Sequence, residues 1–407
     1  MADRDRFRWT ILALISVSHI MGGVGQYGIN TLAPFYQQDL NLSRAQIGLF
    51  FSAFYSGMAG LSFAAGWLAD RLGVRATTLN GHVVLGLFTT AAALAPSFGW
   101  AFGSFFFAGL GYSFLNPAST KGVMAWFYRD ERTTAMGIKQ TGVPAGGVLA
   151  ALLGPALVLW VGWRGALAGF GAMNFLFGFL FWALWRDPRE ERDNPDASPR
   201  VAEKVRDRLS VRSLLNVSLG TALMLVAQMS LITFLPLYLK EAMGLSAYWA
   251  SRALALTQAG AMIGRIGWGV VSDRLFKGRR KVVLILVGAL SAVITLLLSL
   301  MPGGTGIAII APLIFVAGIC MVGYQGVSYA LIGEIAGKAR TGAAMGFVIS
   351  VNSIGAIFGT PLFGYLVDAT GSYSVAWQAL GGAVLIGIVG LGVFLKEPHG
   401  ERLAAVP

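Results

Sequence analysis

Long apolar runs, separated by short clusters of charge, glycine and proline, recur along the whole chain. A helix crossing a bilayer needs about 20 predominantly apolar residues. Runs of that length fall at 9–35, 45–68, 77–96, 99–127, 134–160, 165–185, 213–238, 248–271, 282–301, 306–332, 342–367 and 376–395. The pattern predicts an all-α integral membrane protein with twelve transmembrane helices, numbered here as crossings 1 to 12. One stretch breaks the rhythm. Between Arg186 and Ser210, Pro188, Pro195 and Pro199 sit among charges with almost nothing apolar, as a solvated connection would. The expected division is an N-terminal six-helix bundle over 1–186, a linker over 187–211 and a C-terminal six-helix bundle with a short tail over 212–407.

The two halves echo one another. Gly66-Trp67-Leu68-Ala69-Asp70-Arg71-Leu72-Gly73-Val74-Arg75 closes crossing 2, and Gly269-Val270-Val271-Ser272-Asp273-Arg274-Leu275-Phe276-Lys277-Gly278-Arg279-Arg280 closes crossing 8. Three further pairs follow in the same order in both halves. Thr31-Leu32-Ala33-Pro34-Phe35-Tyr36 answers Thr233-Phe234-Leu235-Pro236-Leu237-Tyr238, Arg132 to Gly137 answers Arg340 to Gly346, and Gly162-Trp163-Arg164 answers Val375-Ala376-Trp377. The shared Gly-x-x-x-Asp-Arg has a physical meaning at a helix end. Glycine allows close helix contact, and a carboxylate is stabilised beside another helix's positive N-terminus.

Composition agrees with the pattern. Of 407 residues, 56% are hydrophobic and only 12% charged, which excludes a soluble domain. The formal net charge of +12 could suggest a nucleic-acid partner, but in a membrane chain the placement of Lys and Arg matters more. Arg4, Arg6, Arg8, Arg71, Arg75, Arg129, Arg132, the stretch from Arg186 to Arg212, Arg274 to Lys281, Lys338, Arg340, Lys396 and Arg402 all fall on one side. Arg44, Arg164, Lys240 and Arg252 fall on the other. The excess is therefore topological: a multi-pass protein of the inner or plasma membrane with both termini cytoplasmic, lipid as its surroundings and no nucleic acid. The first apolar run is too long for a signal peptide and lacks a small-x-small cleavage pattern. The single cysteine, Cys320, rules out an intrachain disulfide.

These motifs resemble the major facilitator superfamily over essentially the whole chain. The resemblance implies two pseudo-symmetric six-helix bundles around a central cavity, with alternating access by rocking. It also implies a gate built from Gly66, Asp70, Arg71 and Arg75 and from Gly269, Asp273 and Arg274. In that gate Asp70 and Asp273 latch against the starts of crossings 11 and 5. Two positions depart from the family pattern. A single Arg75 replaces the frequent basic pair, and Phe105 stands where crossing 4 often carries an arginine before Gly109 and Gly111.

Ionisable groups at membrane depth are costly and usually face a cavity. Arg265 lies eight residues before Asp273, about 12 Å into the membrane at 1.5 Å per residue. The run from Arg265 through Gly269 to Asp273 is similar to the Arg-x-x-x-Gly-x-x-x-Asp of monocarboxylate and oxalate/formate transporters, where the arginine binds the substrate carboxylate. A guanidinium suits that role because its planar fork holds a carboxylate bidentately and stays charged when desolvated. Lys121 and Lys139 sit about seven residues inside their nearest loops, roughly 10 Å deep. They either join Arg265 around an anion or snorkel to the headgroups.

Every Asp and Glu falls at a helix end or in a loop, with Glu334 nearest to an exception. A mid-membrane acid to attract a cation or carry a proton is missing. His19, central in crossing 1, is then the candidate proton-coupling group, its alternative role being a hydrogen-bonded packing residue. Tyr27, Asn30, Tyr112, Asn116, Gln140, Tyr324 and Gln325 could line the cavity with neutral donors. Gln26, Tyr55, Gln228 and Asn352 could do the same, or any of these could be interhelical glue. With three histidines and one cysteine, no metal site and no nucleophile with its base can be assembled. The glycine runs lack a phosphate-binding lysine pattern, so no cofactor is implied.

The expectation is a non-enzymatic, monomeric secondary transporter for a small organic anion, a mono- or dicarboxylate, working by proton symport or counter-anion exchange. An organophosphate:phosphate exchanger, an exporter of amphipathic drugs and a transporter-like anion receptor are the alternatives.

Overall fold

The computed structural model describes residues 2–127, 132–186, 211–336 and 341–395. Except for Val211, which begins a helix, the expected linker falls outside the described residues, and so do Arg129, Lys338, Arg340, Lys396 and Arg402. All regular structure among the described residues is helical. In chain order the helices are α1 Ala2–Thr31, α2 Ala33–Asp39, α3 Arg44–Ala93, α4 Phe98–Ser113, α5 Leu115–Trp126, α6 Arg132–Leu184 and α7 Val211–Glu241. They continue as α8 Ala247–Val270, α9 Arg280–Leu300, α10 Ile307–Ala317, α11 Gln325–Ala336, α12 Thr341–Thr370 and α13 Tyr373–Phe394. π-helical turns at Val271–Leu275 and Gly318–Val322 extend α8 and join α10 towards α11.

Twelve crossings emerge once the two longest helices are divided. α3 and α6, of 50 and 53 residues, each contain one non-helical glycine, Gly73 (φ 76°, ψ 171°) and Gly162 (φ 70°, ψ 173°). Positive φ with extended ψ is open to glycine alone at little cost, so these two residues reverse the chain between crossings 2 and 3 and between 5 and 6. α4 with α5 forms crossing 4, and α10 with α11 forms crossing 10. The first apolar run, expected as one helix to residue 35, breaks at Leu32, and Pro34 near the start of α2 accepts the new helix without a lost hydrogen bond. Serine caps begin the helices that re-enter the membrane: Ser43 forms a reciprocal capping box with Gln46, and Ser97 and Ser246 accept from the backbone of Trp100 and Trp249.

Lipid offers no hydrophobic drive for helices to associate, so close packing must supply it. A Cβ on Gly57 would overlap the Phe106 carbonyl and one on Gly109 the Phe54 carbonyl, where crossings 2 and 4 meet. The second half repeats the device. A Cβ on Gly260 would overlap the Phe315 carbonyl and one on Gly318 the Thr257 carbonyl, between crossings 8 and 10. The duplication thus extends from motifs to backbone packing.

The halves are joined on the face opposite the termini, here the far face. Asp368 at the end of α12 accepts from the backbone N–H of Arg44 (3.3 Å) and Ala45 (2.9 Å) and from the Arg44 guanidinium (3.1 Å). A helix N-terminus and a cation therefore hold one carboxylate. Arg44 also pairs with Glu241 (2.9 Å), which accepts from the Tyr373 hydroxyl (2.7 Å). Lys240 donates to the Pro34 carbonyl (2.7 Å). Gly48 lies against the backbone of Thr360 and Pro361, and Gly364 against that of Arg44.

On the terminal face Asp273 pairs with Arg280 of its own half at 2.6 Å, and Arg280 reaches Glu334 at 3.2 Å, while the side chains at the start of crossing 5, the expected partner of Asp273, lie outside the described residues. Gly269 has no atom within 4 Å of where a Cβ would stand, so it makes no close contact in this conformation. The π turn that carries Asp273 brings it beside Arg280, and this pairing satisfies the carboxylate locally. Arg71 and Arg274 are exposed, while Arg75 donates to the Trp182 carbonyl at 2.6 Å and lies 4.1 Å over its ring. The side chains of Gly66's segment and of Asp70 lie outside the described residues.

Two measurements check this packing. Gly109→Leu and Gly318→Leu should each cost about 1–3 kcal/mol by overpacking and lower the melting temperature in detergent. Gly60→Ala, on the same helix as Gly57 with open space around it, should not. Arg44→Ala, removing charge-assisted bonds worth about 1.5–3 kcal/mol, should raise maleimide labelling of Ser353→Cys from the far face at least about tenfold in a Cys320→Ser background. Unchanged labelling would show that the Arg44 cluster does not hold that face shut.

Candidate functional site

Between the halves lies a cavity of about 120 Å³. Crossing 2 contributes Tyr55 and Met58, and crossing 7 contributes Leu225. The rest of the lining is Tyr324, Gln325, Ser328 and Tyr329 from crossing 10 and Ile349, Asn352 and Ser353 from crossing 11. Crossing 10 is locally opened to allow this. Its helix passes through the π turn at Gly318–Val322 and halts at Gly323 before resuming at Gln325, so Tyr324 and Gln325 stand at a backbone break.

Arg265 reaches this region from crossing 8. Gly264 and Gly323 meet backbone to backbone, which brings crossing 8 against the break in crossing 10, and the Trp268 indole N–H donates to the Ile319 carbonyl at 2.9 Å. The guanidinium then spans the two halves. Nη1 donates to the Gln140 carbonyl of crossing 5 at 3.0 Å, and Nη2 donates to Gln325 Oε1 at 2.9 Å. Gln325 Nε2 continues to Gln228 Oε1 of crossing 7 at 3.3 Å. Arg265 Nε is buried with no partner, and among the described residues no carboxylate pairs with the group. The positive charge is thus held by neutral oxygens alone.

Tyrosines gather about that charge. The hydroxyls of Tyr27, Tyr112, Tyr324 and Tyr329 all lie within its electrostatic reach, and Tyr55 stands beside Tyr27 and Tyr112. Tyr55 also accepts from Gln26 Nε2 at 3.0 Å, and Tyr112 packs on Phe54 with ring centroids 5.5 Å apart. Phenol hydroxyls donate without carrying charge, so they can orient an anion without repelling it or adding desolvation of a second ion.

The remaining sequence candidates fall in three places. Gln140 enters through its backbone carbonyl, and Asn30, buried at 1% exposure, leaves its Nδ2 without a partner. Lys121 donates to the Ala69 carbonyl at 3.3 Å, towards the terminal end of crossing 2. Lys139 is wholly buried inside the first half, donating to Asn116 Oδ1, Ser119 Oγ and Thr120 Oγ1 of crossing 4. His19 faces the same cluster through Ser119. Of the expected lining residues Tyr324 and Gln325 border the cavity itself, whereas Arg265, Tyr27, Asn30, Tyr112, Gln140 and the two lysines do not, and Asn116 is drawn to Lys139.

Ser328, Tyr329 and Ser353 were not singled out from the sequence. Their signal was helical spacing: Gln325, Ser328 and Tyr329 stand at i, i+3 and i+4, as do Ile349, Asn352 and Ser353, each set lining one side of the cavity. Small hydroxyls in an apolar run carry little weight alone.

The fold and this interdomain site define a membrane transporter. The chain belongs to the major facilitator superfamily, whose family model matches residues 15–325 and 253–406. It is 25% identical to a hexuronate transporter of Bacillus subtilis, over 98% of this chain and 97% of that one. It is 26% identical to a protein of Cupriavidus necator named as a probable sulfoacetate transporter, over 98% and 96%. Among solved structures it resembles a bacterial homolog of the human lysosomal transporter Spinster, in an inward-facing and unoccupied conformation, with a TM-score of 0.74 at 17% identity. That match covers 96% of this chain and 95% of that one. It is a multi-pass transporter and not an enzyme.

Proposed function

We propose that this protein is a secondary transporter that moves a small organic anion, a mono- or dicarboxylate, across the inner or plasma membrane by alternating access. Arg265 carries the reading: a guanidinium at membrane depth, between the two halves, answered by neutral oxygens and with tyrosines of both halves within its electrostatic reach. A charge left in that state favours an anion over any other ligand, because a carboxylate replaces two neutral acceptors with an opposite charge held in bidentate geometry. The names of the two relatives add support, since hexuronate and sulfoacetate are both small organic acids.

The geometry suggests how binding drives movement. In the present conformation the Arg265 fork is shared between Gln325 in its own half and the Gln140 carbonyl across the seam. An anion taking the fork would release Gln140 and could itself accept from Tyr27 and Tyr112 of the first half and Tyr324 and Tyr329 of the second. Only arrangements that bring both halves to the same ligand gain all these bonds, so the anion stabilises them and lowers the cost of passing between the two open forms. Lys and Arg placement supports a cytoplasmic location for both termini. Proton symport, exchange against a counter-anion and facilitated diffusion are the modes open to such a site.

Uptake of radiolabelled lactate, succinate, glucuronate and sulfoacetate into proteoliposomes tests the reading. Saturable uptake of at least one acid is expected, falling roughly 30-fold or more in Arg265→Ala, with Arg265→Lys intermediate because it keeps the charge and loses the fork. Uptake that survives Arg265→Ala would move this residue to a structural role, and binding without flux would favour a receptor. Dependence on a pH gradient or on internal anion separates symport from exchange.

A further inference from the structure

The side chain next to the Arg265 acceptor points the other way and is wholly enclosed. Lys139 immediately precedes Gln140, is 0% exposed, and its Nζ donates to Asn116 Oδ1 at 3.2 Å, Ser119 Oγ at 2.9 Å and Thr120 Oγ1 at 2.7 Å. All three donors of an ammonium are used, every acceptor is neutral, and among the described residues no carboxylate pairs with it. Desolvation works against the charged form of such a group, and three dipoles are all that oppose it. A residue needed only to pack crossing 4 on crossing 5 would serve better as methionine.

The groups around it sharpen the point. From α1 His19 faces it through Ser119. From α3 His82 stands behind, accepting from the Ser18 hydroxyl at 2.8 Å and bonded to Asn174 at 3.1 Å. From α5 comes Lys121, directed to the Ala69 carbonyl, and from α8 comes Arg265, bonded to the neighbouring Gln140 carbonyl. Each is a cation or can become one. The change that most relieves an ammonium here is therefore the arrival of negative charge at Arg265.

A path for the proton is also present. His19 Nδ1 donates to the Ile15 carbonyl at 3.2 Å, leaving Nε2 bare to accept from the Ser119 hydroxyl at 3.4 Å. Ser119 thus accepts from Lys139 on one side and donates either to His19 or to the Asn116 carbonyl, 2.9 Å away. Asn116 is itself exposed, so the buried amine is one side chain from the surface.

We propose that Lys139 is the proton-carrying residue of this transporter, with Ser119 and His19 as the relay that loads and empties it. In the transfer, an N–H bond of the ammonium breaks as its proton joins Ser119 Oγ. The serine's own proton passes to His19 Nε2, leaving a neutral amine and an imidazolium that gives up its proton to a solvent water, and the reverse steps, starting from hydronium, reload the lysine. Anion on Arg265 and proton on Lys139 then favour each other by the same factor, so acid and substrate enter together. The proposal rests on the anion reading of Arg265 and adds the coupling ion to it.

The test uses the full chain in proteoliposomes with whichever of lactate, succinate, glucuronate or sulfoacetate is taken up most. Wild type should accumulate the acid against its gradient when the outside is acidic, roughly tenfold per pH unit for one proton per anion. Lys139→Met should bring accumulation to equilibrium while anion-for-anion exchange persists; a merely structural lysine would lose both together. Ser119→Ala, a small change that leaves Lys139 in place, should slow proton-driven uptake several-fold and spare exchange. Accumulation in Lys139→Met equal to wild type overturns the proposal and leaves the anion reading intact, whereas loss of all flux only in Arg265→Ala supports that reading alone. Should no acid be transported, the anion reading fails. A ligand-free proton titration in detergent still decides this one, wild type releasing about one proton more than Lys139→Met as the pH is raised through the neutral range. Equal proton counts would sink it.

Discussion

A charge at membrane depth must be answered by something, and the two cations at the centre of this protein are answered only by neutral oxygens. Arg265 leans on a backbone carbonyl and an amide; Lys139 leans on an amide and two hydroxyls. Lys139 and one acceptor of Arg265 are consecutive in the chain, because the carbonyl that takes Arg265 belongs to Gln140. Crossing 5 is thus the place where a charge of one half and a charge of the other are held a single peptide apart. The cavity, the tyrosines around it and the broken helix opposite are arranged about that point.

Movement about such a centre requires helices that pack tightly yet separate along one seam. Within each half the approach is backbone to backbone, at Gly57 and Gly109 in the first and at Gly260 and Gly318 in the second, which makes each half a rigid unit. Between the halves the joint is polar at the far face, where Asp368 and Glu241 gather around Arg44. Apolar packing in lipid cannot be undone and remade cheaply, since it depends on exact fit, whereas ion pairs at a helix end can exchange for water. Rigid halves with a polar latch are the physical condition for rocking. On the terminal face, Asp273 is turned to Arg280 in its own half.

Much of this was legible in the chain. Twelve apolar runs and the ordered echoes between halves led to the fold, and the family match confirms it. Arg265 was legible because an arginine inside an apolar helix has few reasons to be there. Lys121 and Lys139 were legible as deep cations, but their roles were not, because depth along a helix does not tell which way a flexible side chain turns. Tyr329 and Ser353 escaped notice since a tyrosine or serine in a membrane helix is unremarkable until its neighbours are known.

By itself the sequence determined the class, the crossings and the depth of each charge, because hydrophobic length and the cost of ionised groups in lipid act residue by residue along one helix. Tertiary structure alone decided where each charge is directed. It turned Lys139 inward to Asn116, Ser119 and Thr120, sent Lys121 to Ala69 and set Arg265 across the seam on Gln140. It also paired Asp273 with Arg280. These choices depend on helix rotation and on which backbone faces which, and both are set by glycine contacts between segments far apart in the chain.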